Sequence, residues 1–170
     1  MSNSLKKIVR AGVVGGLYIA LSMITFSISS GAIQFRPAEA LTLLPLLFPE
    51  TAIGLFVGCF FTNLITGCTP WDMVLGSIIT LLAGVLTAFI GKAIKQRLIT
   101  VVVGGFFPVL LNAFLLPLIW LYMGDGLEYV YIIQCLLLIA SQSLSVYALG
   151  IPLSLSLAKL QDRGVKIFTD

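Results

Sequence analysis

The spacing of charged residues limits this chain more than any other feature. Between Arg10 and Arg36 lie 25 uncharged residues, between Glu50 and Asp72 lie 21, and between Asp72 and Lys92 lie 19. Arg97 to Asp125 encloses 27 more, and Glu128 to Lys159 a further 30. An α-helix rises about 1.5 Å per residue, so about 20 apolar residues cross the roughly 30 Å of bilayer hydrocarbon. Five crossings follow from that arithmetic. Only 10% of the 170 residues are charged and 59% are hydrophobic, whereas about a quarter of an ordinary soluble domain is charged. The chain reads as an integral membrane protein.

A sixth crossing rests on the distribution of cations. Residues 40–49 are too few to span as an ordinary helix, and Pro45 interrupts them. Yet Lys6, Lys7 and Arg10 precede the first span, Lys92, Lys95 and Arg97 separate two later ones, and Lys159, Arg163 and Lys166 follow the last. Six crossings put all nine on one side and leave Arg36 alone on the other; five would split them three against six. Short loops rich in Lys and Arg stay in the cytoplasm, so six crossings with both termini inside are expected. The spans read as about 8–28, 38–49, 50–66, 72–91, 98–122 and 129–158, in a single domain over 1–170. A short, proline-broken second span must be shielded by its neighbours. The first span is long and no small-residue cleavage site follows it, so it is expected to be kept rather than removed as a signal peptide.

Polar residues are sorted along the same axis. Glu39, Asp72, Asp125 and Glu128 fall at or near the expected outer face, together with Gln34, Thr62, Asn63, Thr66, Trp71, Asn112, Trp120, Gln134 and Gln142. Such a group suits a small polar, cationic ligand arriving from outside. The candidate binding residues are Arg36, Glu39, Asn63, Trp71, Asp72, Asn112 and Gln142. Each has a simpler alternative. Glu39 could pair with Arg36 at i,i+3, Asp72 could cap a helix, and the amides could bond a neighbouring helix. Trp71 and Trp120 could be interfacial anchors, and Asp125 and Glu128 loop charges or a lid. A stripe of small residues, Gly12, Gly16 and Ala20 flanked by Ala11 and Gly15, permits close approach of another helix, either inside the bundle or from a partner.

Catalytic chemistry finds little support. The chain has no His, its three cysteines are scattered, and neither metal nor cofactor is expected. No Walker sequence is present, because the one Gly-Lys pair, Gly91–Lys92, is preceded five residues earlier by Leu86. An intramembrane enzyme would need an activated nucleophile or paired acid and base groups, and an autonomous carrier would show repeats and midplane ion-coupling acids.

Several stretches resemble the queuosine-precursor transporter (QueT) family. They are IleGlnPheArgProAlaGluAlaLeuThrLeuLeuProLeuLeuPhePro (33–49), AlaIleGlyLeuPheValGlyCysPhePheThrAsnLeu (52–64), TrpAspMetValLeuGlySerIleIleThrLeuLeuAla (71–83) and ProValLeuLeuAsnAla (108–113). These proteins are the substrate-capture (S) components of energy-coupling-factor (ECF) transporters. The resemblance implies an all-α protein of six transmembrane helices in the bacterial plasma membrane, taking up 7-aminomethyl-7-deazaguanine or a close relative. It also implies a transmembrane coupling subunit (EcfT-like) and two cytosolic ABC ATPases as partners, docked on the stripe formed by Ala11, Gly12, Gly15, Gly16 and Ala20. The chain departs from the family pattern at two places. Pro37 and Ala38 stand between Arg36 and Glu39, where relatives commonly read Arg-x-Ser-Glu, and Ser141–Gln142 replace a common Gly-Glu pair.

Overall fold

The computed structural model describes residues 2–29, 34–94, 96–123 and 130–165, and all regular structure among them is helical. Helix α1 runs Asn3–Ile24 and is followed by one further turn, Phe26–Ser29. A 3-10 helix, Pro37–Leu46, comes next, then α2 (Thr51–Thr66), α3 (Asp72–Ala93), α4 (Arg97–Met123) and α5 (Tyr131–Asp162). Helices α1, α3, α4 and α5 are long and apolar enough to cross a membrane, while α2 is apolar but shorter. Their outward faces are hydrophobic, as Ile78, Leu82, Val85 and Phe89 along α3 illustrate. In water an apolar surface of that extent would drive association; in a bilayer it is the surface that belongs against lipid. The chain is therefore a helical membrane protein.

Local chemistry sets the helix ends. The Ser2 hydroxyl accepts from Leu5 N at 3.3 Å and caps α1. Gly67 ends α2 at φ +70°, a left-handed conformation that a side chain would penalise. Among the candidates in 29–37 and 124–128, Gln34 and Arg36 are described, whereas Asp125 and Glu128 lie outside the described residues.

The segment over 38–49 forms the 3-10 helix Pro37–Leu46 in place of an α-helix. A 3-10 helix rises about 2.0 Å per residue, so ten residues reach about 20 Å rather than about 15 Å. Such helices rarely exceed a turn or so, because their hydrogen bonds are poorly aligned. This one is enclosed: every residue from Ala38 to Pro45 is buried, and all five longer helices touch it. The required shielding is present. Its seat demands small residues, since a Cβ on Gly150 of α5 would stand 2.9 Å from the Ala40 carbonyl oxygen.

Helix α1 crosses α2 almost backbone to backbone. A Cβ on Gly15 would stand 2.7 Å from the Gly54 carbonyl oxygen, and one on Gly54 would run into the Ala11 carbonyl. Gly58 faces Gly15 in the same way, at 2.8 Å from its carbonyl oxygen. In lipid no water is expelled when helices meet, so such close van der Waals contact supplies much of the association. One end of the bundle is basic, and it is pinned there by Arg10. The Arg10 side chain is 5% exposed, its Nε donates to Glu50 Oε1 at 2.6 Å, and its guanidinium lies 4.7 Å from the Phe48 ring centroid. Across the same end Arg97 donates to Asp162 Oδ1 at 2.6 Å, and that hydrogen bond, helped by the Arg97 charge, holds the Asp162 carboxyl below the usual carboxylate range. Both groups of that second pair are half exposed, so its contribution to stability is small.

Candidate substrate-binding site

At the opposite end a cavity of about 290 Å³ opens among α1, the turn after it, the start of the 3-10 helix, α2, α3 and α4. Arg36, Asn63 and Asp72 line it, together with Tyr18, Thr62 and Trp120. Each group is positioned by an identifiable contact. The Trp120 indole N–H donates to Asp72 Oδ1 at 3.2 Å, and Oδ2 has no hydrogen-bond partner among the described residues. Asn63 Nδ2 donates to the Asp72 backbone carbonyl oxygen at 3.4 Å, and the Asn63 side-chain Oδ1 has no hydrogen-bond partner among the described residues. Arg36 Nη2 donates to Gln34 Oε1 at 2.9 Å. Gln34 itself takes φ +44°, an unfavourable backbone for a non-glycine residue and one often found at binding sites.

A second polar layer lies directly behind the cavity. The Tyr18 hydroxyl donates to Glu39 Oε1 at 2.7 Å, and Asn112 Nδ2 donates to Oε2 at 3.3 Å. Glu39 is 1% exposed and Asn112 3%. The i,i+3 ion pair considered for Glu39 and Arg36 is absent, because Glu39 turns to Tyr18 and Asn112 while Arg36 turns to Gln34. Arg36 still lies within electrostatic reach of both Glu39 and Asp72. Among the described residues, two acidic side chains, Glu39 and Asp72, stand against the one Arg36 guanidinium at this end of the bundle.

The capping role considered for Asp72 is also absent. Thr69 supplies the cap, its Oγ1 accepting from Asp72 N at 3.3 Å, and the Asp72 carboxylate is free to face Trp120 and the cavity. The reason is that the helix already begins at Pro70, which puts Asp72 inside its first turn, where the backbone widens into a π-helical turn over Asp72–Gly76. A second π-helical turn, Leu144–Leu149, follows Gln142 in α5. Such turns carry an extra residue and re-aim side chains, and they occur often at functional sites.

The other candidates fall differently. Trp71 is 54% exposed and outside the cavity, in keeping with an interfacial anchor. Gln142 is 1% exposed and away from the cavity lining, and neither its Oε1 nor its Nε2 has a hydrogen-bond partner. A buried amide with both ends unsatisfied costs about 1–3 kcal/mol per group, so it is a poor structural choice and a good reserve for a ligand. Tyr18 and Trp120 are functional candidates that the sequence reading passed over or took for an anchor. Trp120 is 9% exposed and points inward. The small-residue stripe is divided between two surfaces. Ala11 and Gly15 pack against α2, whereas Gly12, Gly16 and Ala20 are exposed, with nothing within 4 Å of a Cβ on Gly12 or Gly16. Gly12 and Gly16 border an apolar groove of about 590 Å³ between α1 and α2.

An apolar-surfaced helical bundle that keeps a cavity lined by charged and polar side chains at one end has the architecture of a membrane protein handling a small polar molecule. No curated protein and no solved structure matches the chain. The family model for the QueT transporter matches residues 8–159, and the chain belongs to the QueT transporter family. That family is one of transporters and not of enzymes.

Proposed function

We propose that this chain is the substrate-capturing membrane subunit of an ECF-type importer, taking a cationic 7-deazaguanine precursor of queuosine from outside the cell. The observation that carries this reading is the pairing of Asp72 and Asn63 acceptors with the Arg36 guanidinium around one cavity. A carboxylate suits the ammonium or N–H edge of such a base, Arg36 suits its carbonyl, and Tyr18 and Trp120 offer aromatic faces. At about 290 Å³ the cavity sits at the small end of ligand pockets, which run from about 300 to 1,000 Å³, and so favours a single base over a nucleotide. Glu39 acts through Tyr18, and Gln142 joins the site when the bundle tightens on the ligand. Gly12, Gly16 and Ala20 form the exposed face for a transmembrane coupling subunit, and two cytosolic ATPases supply the energy.

Calorimetry on the purified protein tests the ligand assignment. The aminomethyl base should bind and release heat, while riboflavin and thiamine added in parallel should give none. Binding of either vitamin with higher affinity than the base would assign the protein to a different substrate class.

In the topology that accompanies this reading, the chain crosses the bilayer six times in the bacterial plasma membrane with both termini in the cytoplasm, and the 3-10 helix counts as the second crossing. Single cysteines at Ser4, Gln96 and Arg163, in a background lacking Cys59, Cys68 and Cys135, should be labelled only from the cytoplasmic side. One at Thr69 should be labelled only from outside. External labelling of position 96 would reduce the crossings to five and turn the cavity to the wrong face.

A further inference from the structure

A second polar cavity, of about 260 Å³, lies at the basic end where the turn between α3 and α4 meets α5 and the far end of the 3-10 helix. Lys92, Arg97, Thr100 and Ser154 are its polar lining residues, and none of the described residues that line it carries a carboxylate. Lys92 makes no ion pair among the described residues. Among the described residues Arg97 is paired through Nη2 alone, with Asp162, so most of its donors have no described partner. Thr100 holds the turn in shape, its hydroxyl lying 2.9 Å from both the Ile94 and Gln96 carbonyl oxygens. Ser154 is 1% exposed and its hydroxyl has no hydrogen-bond partner. An unused buried donor beside two cations is an arrangement that awaits an anion.

We infer that this cavity binds the phosphate group of an anionic phospholipid. A free phosphate ion offers the same oxygen chemistry, but Leu46, Val101 and Leu155 line the rest of the cavity and suit the first methylenes of an acyl chain. The position also fits, because Lys92 and Arg97 close the ends of two long apolar helices, at the level where headgroups lie. Basic pockets between transmembrane helices at that level hold lipid phosphates. This site is independent of the outward cavity and of any substrate assigned to it.

Native mass spectrometry of the protein released from nanodiscs of mixed phosphatidylcholine and phosphatidylglycerol tests the inference. The wild type should retain one phosphatidylglycerol in preference to phosphatidylcholine. Lys92→Gln should lower that preference about ten-fold and Ser154→Ala a few-fold, as expected for loss of a charged and a neutral hydrogen bond. Both variants should melt near the wild-type temperature in pure phosphatidylcholine, since neither removes a packing contact. Lys7→Gln, which removes a charge at the same end outside the cavity, should leave the preference unchanged. Equal retention in all variants, or an equal loss with Lys7→Gln, overturns the site. If millimolar inorganic phosphate in zwitterionic detergent protects the protein as well as phosphatidylglycerol does, the lipid assignment falls.

Discussion

Leucine at position 54 should prevent the protein from accumulating in the membrane as a folded species, whereas leucine at position 12 should leave folding and ligand binding intact and abolish uptake. The two glycines lie on facing helices and share the four-residue spacing that marks close helix packing. Their surroundings are opposite. At Gly54 the first carbon of any side chain collides with the Ala11 carbonyl, and α1 and α2 would have to separate along their whole crossing. Overpacking of that kind costs about 1–3 kcal/mol for an added methylene and more where backbone opposes it. At Gly12 the added side chain meets nothing within 4 Å, and exchanging glycine for leucine in a helix favours the helix by up to about 1 kcal/mol. Any defect in Gly12→Leu must then come from outside the chain. Uptake in cells carrying the partner subunits, measured beside calorimetry on the isolated protein, separates the two effects. Equal losses of uptake and binding in Gly12→Leu would mean that the exposed face belongs to the protein's own packing and not to a partner.

The contrast between these glycines also marks where the sequence stopped being readable. Membrane segments were legible because charges cannot be left in hydrocarbon: the expected spans 50–66, 72–91 and 98–122 differ by no more than two residues per end from Thr51–Thr66, Asp72–Ala93 and Arg97–Met123. Helix rotation was not legible. In water a helix declares its buried face by apolar periodicity, but in lipid both faces are apolar and the period is lost. Ala11–Gly15 and Gly12–Gly16 therefore looked like one stripe, although only the first pair meets α2. For the same reason Trp120 read as a belt residue and Tyr18 attracted no notice, while both point inward onto carboxylates. The 3-10 helix was hidden as well. Its residues are buried on all sides, so neither period appears, and only Pro45 and the shortness of the run signalled a departure from an α-helix. The site acids themselves, Glu39 and Asp72, were found by charge alone; what each of them bonds to depended on rotation.

Removing those two charges should have unequal consequences. Asp72→Asn keeps the shape of the side chain and can keep the Trp120 contact by presenting its amide oxygen, so folding should be near normal. What disappears is the charge available to a cationic ligand. A hydrogen bond to a charged group is worth about 1.5–3 kcal/mol, so binding of the aminomethyl base should weaken by roughly ten- to a hundred-fold. A neutral analogue lacking the ammonium should lose no more than a few-fold, because it never used that charge. Glu39→Gln acts on a group that is 1% exposed and already occupied by Tyr18 and Asn112. Its new NH₂ would face one of two donors, either the Tyr18 hydroxyl or the Asn112 amide, so the layer behind the cavity must rearrange. Glu39→Gln should therefore lower the melting temperature as well as the affinity, and it should weaken the neutral analogue along with the cation. Parallel titrations of both ligands against both variants give four affinities. The expected pattern is a selective loss in Asp72→Asn and a general loss in Glu39→Gln. If Asp72→Asn weakens both ligands equally, its carboxylate organises Trp120 and Asn63 without touching the ammonium. If the selective loss instead follows Glu39→Gln, then Tyr18 swings aside on binding and the deeper carboxylate is the one that meets the cation.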